Sequence, residues 1–214
     1  LDWVAASLRL LRAFAAAGGR RAVMAGSCAE YDWTGPGHLG EDAPLHPATL
    51  YGAAKAATGL AAVAGAKALG LSLAWARIFF VYGPGEPEGR LFGDLIRGLA
   101  AGREVACTDG RQRRDFLHAG DVGRALALSL RSHIEGPVNI GSGQAVAVAE
   151  MIGEIARQIG RPDLVRLGAR PRPAGDPPLI EAGVDRLRAE AGFRPAYDMT
   201  TGIRAVLQSE KVLV

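Results

Sequence analysis

The sequence predicts an α/β fold built on a parallel sheet, and three observations carry that reading. Apolar runs at residues 20–27, 71–82 and 136–140 have strand character, and runs apolar on both faces belong to strands covered on both sides. Segments with helical spacing alternate with them, the order expected when crossover helices join parallel strands. Turn residues stand between many of these segments, among them Gly18-Gly19, Gly70, Asp109-Gly110 and the run Gly83-Pro84-Gly85-Glu86-Pro87.

In chain order, Leu1, Val4, Leu8, Leu11 and Ala15 recur at helical spacing until Gly18-Gly19 stops the helix. Arg20 to Ser27 reads as a short buried strand around Ala22-Val23-Met24-Ala25. Residues 28–47 are loop-like, rich in Gly, Pro, His and acids. An Ala-rich helix follows from about Ala48 to Leu69, closed by Gly70. Leu71 to Tyr82 reads as one strong strand. Leu91 to Ala101 is a helix, Glu104 to Cys107 a short strand, and Asp121 to Arg131 a helix. Gly136 to Ile140 is a strand ending in Gly141-Ser142-Gly143, Glu150 to Ile159 is helical, and a last helix starts near Met199. The Pro- and Arg-rich interval from Arg161 to Pro178 is too long for an ordinary connection and is expected to join a small second lobe. Residues 1–160 are therefore expected to form most of a sheet domain, with lobe segments interleaved at about 83–118. Residues 161–214 are expected to form mainly the lobe and a C-terminal helix.

Composition excludes several classes. With 214 residues, 49% hydrophobic and 22% charged, the chain suits one sizeable globular domain or a large piece of one. Net charge is only +3, and the 22 Arg and 3 Lys are scattered rather than striped, so no nucleic-acid partner is expected. No run reaches the ~18 apolar residues of a membrane span, and no signal-peptide pattern is visible. Cys28 and Cys107 make no disulfide framework, so a cytoplasmic location is expected. No cluster of His, Cys and carboxylates has metal-ligand spacing, and no metal is expected. The chain opens at Leu1, inside a helical pattern, and reads as cut into rather than started.

The chemistry concentrates at Ser27, Tyr51 and Lys55. One helical turn separates Tyr51 from Lys55, so the two side chains share a face. An ammonium beside a phenol favours the phenolate. A serine at the carboxyl end of a strand points into the crevice where open α/β sheets bind ligands. A tuned phenol with a neighbouring hydroxyl suits proton transfer during hydride chemistry at a carbinol carbon.

Five stretches carry a wider likeness. They are Gly26-Ser27-Cys28-Ala29-Glu30-Tyr31, Tyr51-Gly52-Ala53-Ala54-Lys55, Ala76-Arg77-Ile78-Phe79-Phe80-Val81-Tyr82-Gly83-Pro84-Gly85, Arg114-Asp115-Phe116-Leu117-His118 with Asp121-Val122, and Asn139-Ile140-Gly141-Ser142-Gly143. In this order the chain resembles the extended short-chain dehydrogenase/reductase superfamily of nucleotide-sugar epimerases, dehydratases and reductases, from Leu1 to about Leu207. The resemblance implies the C-terminal part of a doubly wound Rossmann-type sheet plus a small mixed α/β substrate-binding lobe. It implies Tyr51 as general acid/base, Lys55 on the nicotinamide ribose, and Ser27 on the reacting oxygen. Ala25, Phe79 and Val81 would join Tyr51 and Lys55 in lining an NAD or NADP site. Cys28, Ala29, Phe80, Arg90, Arg114 and Arg172 would face a nucleotide-sugar substrate, the arginines as diphosphate ligands. Each of these arginines also reads as an ordinary surface cation. Relatives pair as homodimers through the first helix and the Tyr/Lys helix, with Leu8, Leu11, Ala57 and Ala61 as interface candidates; packing on the sheet explains the same pattern.

Departures from the pattern narrow the reading. Related dehydratases carry Asp-Glu directly after the position of Ser27, where this chain has Cys28 and Ala29, so epimerase or ketoreductase chemistry is favoured over dehydration. Phe80 stands where many relatives have a substrate-contacting Asn. Trp33 suits stacking on a sugar or base and equally suits covering the core, while His118 reads as structural. The dinucleotide fingerprint Gly-x-x-Gly-x-x-Gly does not occur ahead of Ser27, so most of the cofactor site is expected outside this sequence. The competing reading is a non-catalytic binding or dimerisation module on the same fold, or an inactive fragment.

Overall fold

Three apolar runs pair side by side, in parallel, as the sequence pattern requires. A computed structural model describes residues 2–212 of the chain; Leu1, expected to open the first helix, lies outside them. In chain order the first half holds α1 (Asp2–Ala16), β1 (Arg21–Ser27), β2 (His38–Leu39), α2 (Leu50–Ala68), β3 (Ser72–Ile78), β4 (Phe80–Tyr82) and α3 (Leu91–Ala100). The middle holds β5 (Val105–Ala106), β6 (Arg113–Arg114), β7 (Phe116–His118), α4 (Ala119–Arg131), β8 (Gly136–Ile140), β9 (Val146–Ala147) and α5 (Val148–Ile159). The last part holds β10 (Val165–Arg166), β11 (Leu179–Ala182), α6 (Asp185–Ala191) and α7 (Met199–Ser209).

The central sheet has the order β1-β3-β8, all parallel, with Ser27 level with Ile78 and Ile78 level with Ile140. Alternation along β3 explains the two layers that cover it. Leu73 and Trp75 pack with Leu11 of α1 and with Ala62 and Ala66 of α2. Ala74 and Ala76 turn the other way, into a core shared with Val122 and Ala125 of α4 and Leu187 of α6. Leu11 is 4% exposed, so it belongs to the sheet-facing core, and Leu8 packs against the same cluster. Ala57 and Ala61 do face outward.

Two sequence expectations change. Leu71 to Tyr82 is two strands rather than one. After Ile78 the chain leaves the central sheet: the Phe79 N–H still donates to Ile140 O, but the Phe80 N–H donates to Asp115 O. From there β4 pairs with β7. The loop-like stretch 28–47 contains a 3-10 turn at Cys28–Glu30 and β2.

A second layer holds the lobe. Strands in the order β2-β11-β6-β9 form a mixed sheet, and β10 pairs with β5. A separate apolar core joins α3, α5 and α7 through Leu95, Leu99, Met151, Ile155, Ile203 and Leu207. Thus α5, within the 1–160 segment, packs with the lobe helices, while α6, from 161–214, packs on α4 and β8. The chain crosses between the two cores repeatedly, with α4 and α6 in one and α3, α5 and α7 in the other. Cys28 and Cys107 are both free and buried.

Candidate active site

The end of β1 and the start of α2 meet at one point, and local sequence makes that possible. Ser27 caps the 3-10 turn after β1: its Oγ accepts from Ala29 N–H at 3.2 Å, and Glu30 reaches back to accept from Ser27 N–H at 2.8 Å. This is a capping box written in the sequence as Ser-x-x-Glu. Because Oγ accepts from the backbone, the hydroxyl proton of Ser27 is left to donate elsewhere. Thr49 caps α2 by accepting from Gly52 N–H at 3.0 Å, which places Tyr51 in the first turn.

Gly52 then decides how close the two elements come. A Cβ at this position would stand 2.1 Å from Ala29 O, so only glycine lets the first turn of α2 rest on the turn that holds Ser27. Lys55, one turn further on, donates from Nζ to Ala25 O at 2.8 Å. That bond ties α2 to β1 and leaves two ammonium hydrogens for other acceptors. Ala25 and Ser27 are two residues apart on one strand, so they share a face.

Beside this junction lies a cavity of about 650 Å³ between α1, α2 and β1. Tyr51, Lys55, Ala25, Met24, Thr58 and Trp75 are among the residues that line it. Tyr51 is 58% exposed, whereas Ser27 is buried. The structure therefore brings Tyr51, Lys55 and Ala25 to one hollow, with Ser27 at the end of the same strand. Val81 is exposed on β4, and Phe79 is buried against Tyr31 at 6.3 Å between ring centroids.

The substrate-side residues divide into two groups. Arg114 lies within electrostatic reach of both Cys28 and Arg172. Burial pushes the Cys28 thiol up to about 12, with Asp115 and Glu30 adding to the rise and Arg114 opposing it. Burial holds the Arg114 guanidinium below its ordinary value, with Asp176 opposing the shift and Arg172 adding to it. Arg114 is buried and pairs with Asp176, donates to Pro177 O at 2.8 Å, and stands 5.6 Å from the Phe80 ring centroid. Arg172 pairs with Asp109 at 2.9 Å. Arg90 stands apart, exposed at the head of α3 without a side-chain cap bond. Ala29 contributes its carbonyl to the Gly52 contact. Trp33 donates to Cys28 O at 2.9 Å and packs on the core. His118 caps α4, accepting from Gly120 N–H at 3.1 Å.

Two buried carboxylates near the site stand in the sequence motifs without an assigned role. Asp115, fully buried, accepts from Ser142 N–H, Gly143 N–H and Ala182 N–H at 2.7–3.1 Å, and so fixes the Gly141-Ser142-Gly143 loop. Glu30 is equally buried and pairs with Arg77 at 2.9 Å. The spacing Ser27-x-x-Glu30 was the available signal for the second. Among the described residues no group of three or more His, Cys, Asp or Glu could hold a metal ion.

Residues 2–141 match the NAD dependent epimerase/dehydratase family. The chain belongs to that family. Family relatives include the UDP-glucose 4-epimerase of Corynebacterium glutamicum, 29% identical over 97% of this chain and 67% of its own length. The dTDP-glucose 4,6-dehydratase of an Actinoplanes species is 30% identical over 78% of this chain and 52% of its own length. The solved structure of MoeE5 in complex with UDP-glucose and NAD superposes with a TM-score of 0.84 at 32% identity, over 96% of this chain and 70% of that one. The chain thus spans about two thirds of the length of the Corynebacterium epimerase and of MoeE5.

Proposed function

We propose that this chain carries the acid–base half of an NAD-dependent enzyme that epimerises or reduces a nucleotide-activated sugar. The observation that carries the reading is the junction at Gly52, which sets the Tyr51–Lys55 face of α2 against the turn held by Ser27. Family membership and the UDP-glucose and NAD named for MoeE5 support the substrate class and favour NAD over NADP.

The residues present fit such a cofactor. The cavity beside α2 offers the two remaining hydrogens of Lys55 and the exposed Tyr51 phenol, a donor set suited to the hydroxyls of a ribose. Lys55, Tyr51 and Ala25 would hold it, with Phe79 and Val81 as further candidates. A bound NAD supplies an acceptor and donor of hydride at the sugar carbon. Tyr51 moves the proton of the reacting sugar hydroxyl, Lys55 holds that phenol and the ribose, and Ser27 donates to the same sugar oxygen. Arg114 and Arg172 are proposed to face the diphosphate together, with Arg90 at its far end and Cys28, Ala29 and Phe80 beside the sugar. Glu30 is committed to Arg77 and Cys28 carries a neutral thiol. Neither supplies the acid and base of an elimination, which favours epimerase or ketoreductase chemistry over dehydration. Two free cysteines suit a reducing cytoplasm, and the apolar outer face of α1 and α2 suits a homodimer.

Tyr51→Phe in the full-length protein tests the reading. We expect kcat on UDP-hexoses to fall by about 10²–10⁴-fold with KM little changed, followed by chromatography of epimers and absorbance of NADH. Net consumption of NADH identifies a reductase, and an unchanged cofactor pool an epimerase. Full activity in Tyr51→Phe overturns the assignment in favour of a binding module.

A further inference from the structure

Directly beneath Ser27 lies a carboxylate that the reaction above does not consume. Glu30 has no exposed surface. Its Oε1 accepts from Ser27 N–H at 2.8 Å and from the Trp75 indole N–H at 3.0 Å. Its Oε2 accepts from the same indole at 3.0 Å and from Arg77 Nε at 2.9 Å. Arg77 continues inward, donating to the Tyr31 hydroxyl at 2.9 Å and to Glu41 O at 3.0 Å. Tyr31 donates to Asn139 Oδ1 at 2.7 Å, and Asn139 donates to Leu39 O and Gly183 O. A carboxylate is costly to bury unless it is paired and hydrogen-bonded on every side, and here every side is filled.

The backbone around this group is cut back to admit it. A Cβ on Gly26 would stand 2.4 Å from Trp75 Nε1 and 2.7 Å from Glu30 Oε1, and one on Gly59 would stand 2.6 Å from the same indole. Trp75 also lines the cavity shared by Tyr51 and Lys55. One carboxylate therefore holds both the peptide N–H of Ser27 and an aromatic wall of the hollow that Tyr51 faces.

We propose that Glu30 is a positioning residue for this site. Its carboxylate fixes the Ser27 backbone, and through it the direction of the Ser27 hydroxyl, while holding the Trp75 indole against the cavity. The inference rests on the acid–base reading of Ser27, Tyr51 and Lys55. A displaced donor costs rate rather than binding, because misplacement of about 1 Å at a reacting group is worth up to ~10²-fold.

The test is a double-mutant cycle in the full-length protein with Glu30→Gln, Ser27→Ala and their combination, run beside Tyr51→Phe. Glu30→Gln is expected to lower kcat at least about tenfold while KM for UDP-glucose stays within about threefold, and to add no further loss in the Ser27→Ala background. The Trp75 indole proton resonance is expected to shift in the same variant. Should Glu30→Gln not fold, Glu30→Asp keeps the charge facing Arg77 and draws the carboxylate back by one methylene, and it takes the same place in the cycle. A folded variant with wild-type kcat, or a loss that multiplies fully with Ser27→Ala, overturns the positioning role. If Tyr51→Phe and Ser27→Ala both keep full activity, the acid–base reading itself fails, which is a different result.

Discussion

Cys28 occupies the position next to Ser27, and its surroundings keep it a thiol. Burial is the largest influence, and the nearby Asp115 adds repulsion against a thiolate. A group whose pKa rises from 9.0 to about 12 on folding holds its proton more tightly in the native state. Its contribution to stability is therefore complete below about pH 9 and is lost as pH climbs toward 12. The thiolate is the reactive form, so Cys28 is expected to resist iodoacetamide at pH 8 in the native protein. Cys107, also buried and pushed upward by burial, is expected to behave likewise. Intact mass after labelling should show no adduct on the native chain and two on the denatured chain. At this scale the placement of Ser27 at a strand end and of Tyr51 and Lys55 one turn apart on a helix was legible, because strand ends and helical spacing speak to side-chain direction. Glu30 and Asp115 stand in the quoted motifs without a role, because apart from the Ser27 N–H their partners lie 45–47 and 27–67 residues away.

Helix α2 shows how a single element serves both packing and chemistry. Two of its three glycines, at positions 52 and 65, have opposite surroundings: a Cβ on Gly52 would meet Ala29 O, while one on Gly65 meets nothing within 4 Å. Gly52→Ala is expected to destabilise the fold by about 1–3 kcal/mol through overpacking and to move Tyr51 away from the Ser27 turn. Gly65→Ala is expected to stabilise it by about 0.4–1 kcal/mol, since alanine loses less backbone entropy in a helix. Urea titrations of the two variants should move their midpoints in opposite directions. Six of the seven helices among the described residues and the three central strands were legible because their apolar periods run for many residues, whereas the seven-residue α6 (Asp185–Ala191) was not. The split at Phe79 was not, since residues on both sides are equally apolar and only their hydrogen-bond partners change. Strands of two residues such as β6 and β9 carry no period to read.

Across the whole molecule, the outer face of the helical layer is unusually apolar. Leu60 is 63% exposed and Leu10 68%, and the neighbouring Ala53, Ala57, Ala61 and Ala64 of α2 are exposed as well. If this face pairs two copies about a two-fold axis, Leu60→Glu should convert a dimer into a monomer. Sedimentation velocity distinguishes the species, and a wild-type monomer at micromolar concentration would remove the proposal. No helix among the described residues is long and apolar enough to cross a membrane.

The mixed sheet of the lobe has a consequence for how such a chain can change over generations. Its four strands come from residues 38–39, 179–182, 113–114 and 146–147, laid side by side in that order. Any single genetic crossover between residues 40 and 178 would put neighbouring strands under different parentage. Strands β2 and β11, paired directly with each other, would then meet as strangers, and so would Leu39 O and Gly183 O, which both accept from the Asn139 side chain. The segment is thus inherited most safely as one unit, and new specificity would enter it by point changes rather than by exchange of blocks.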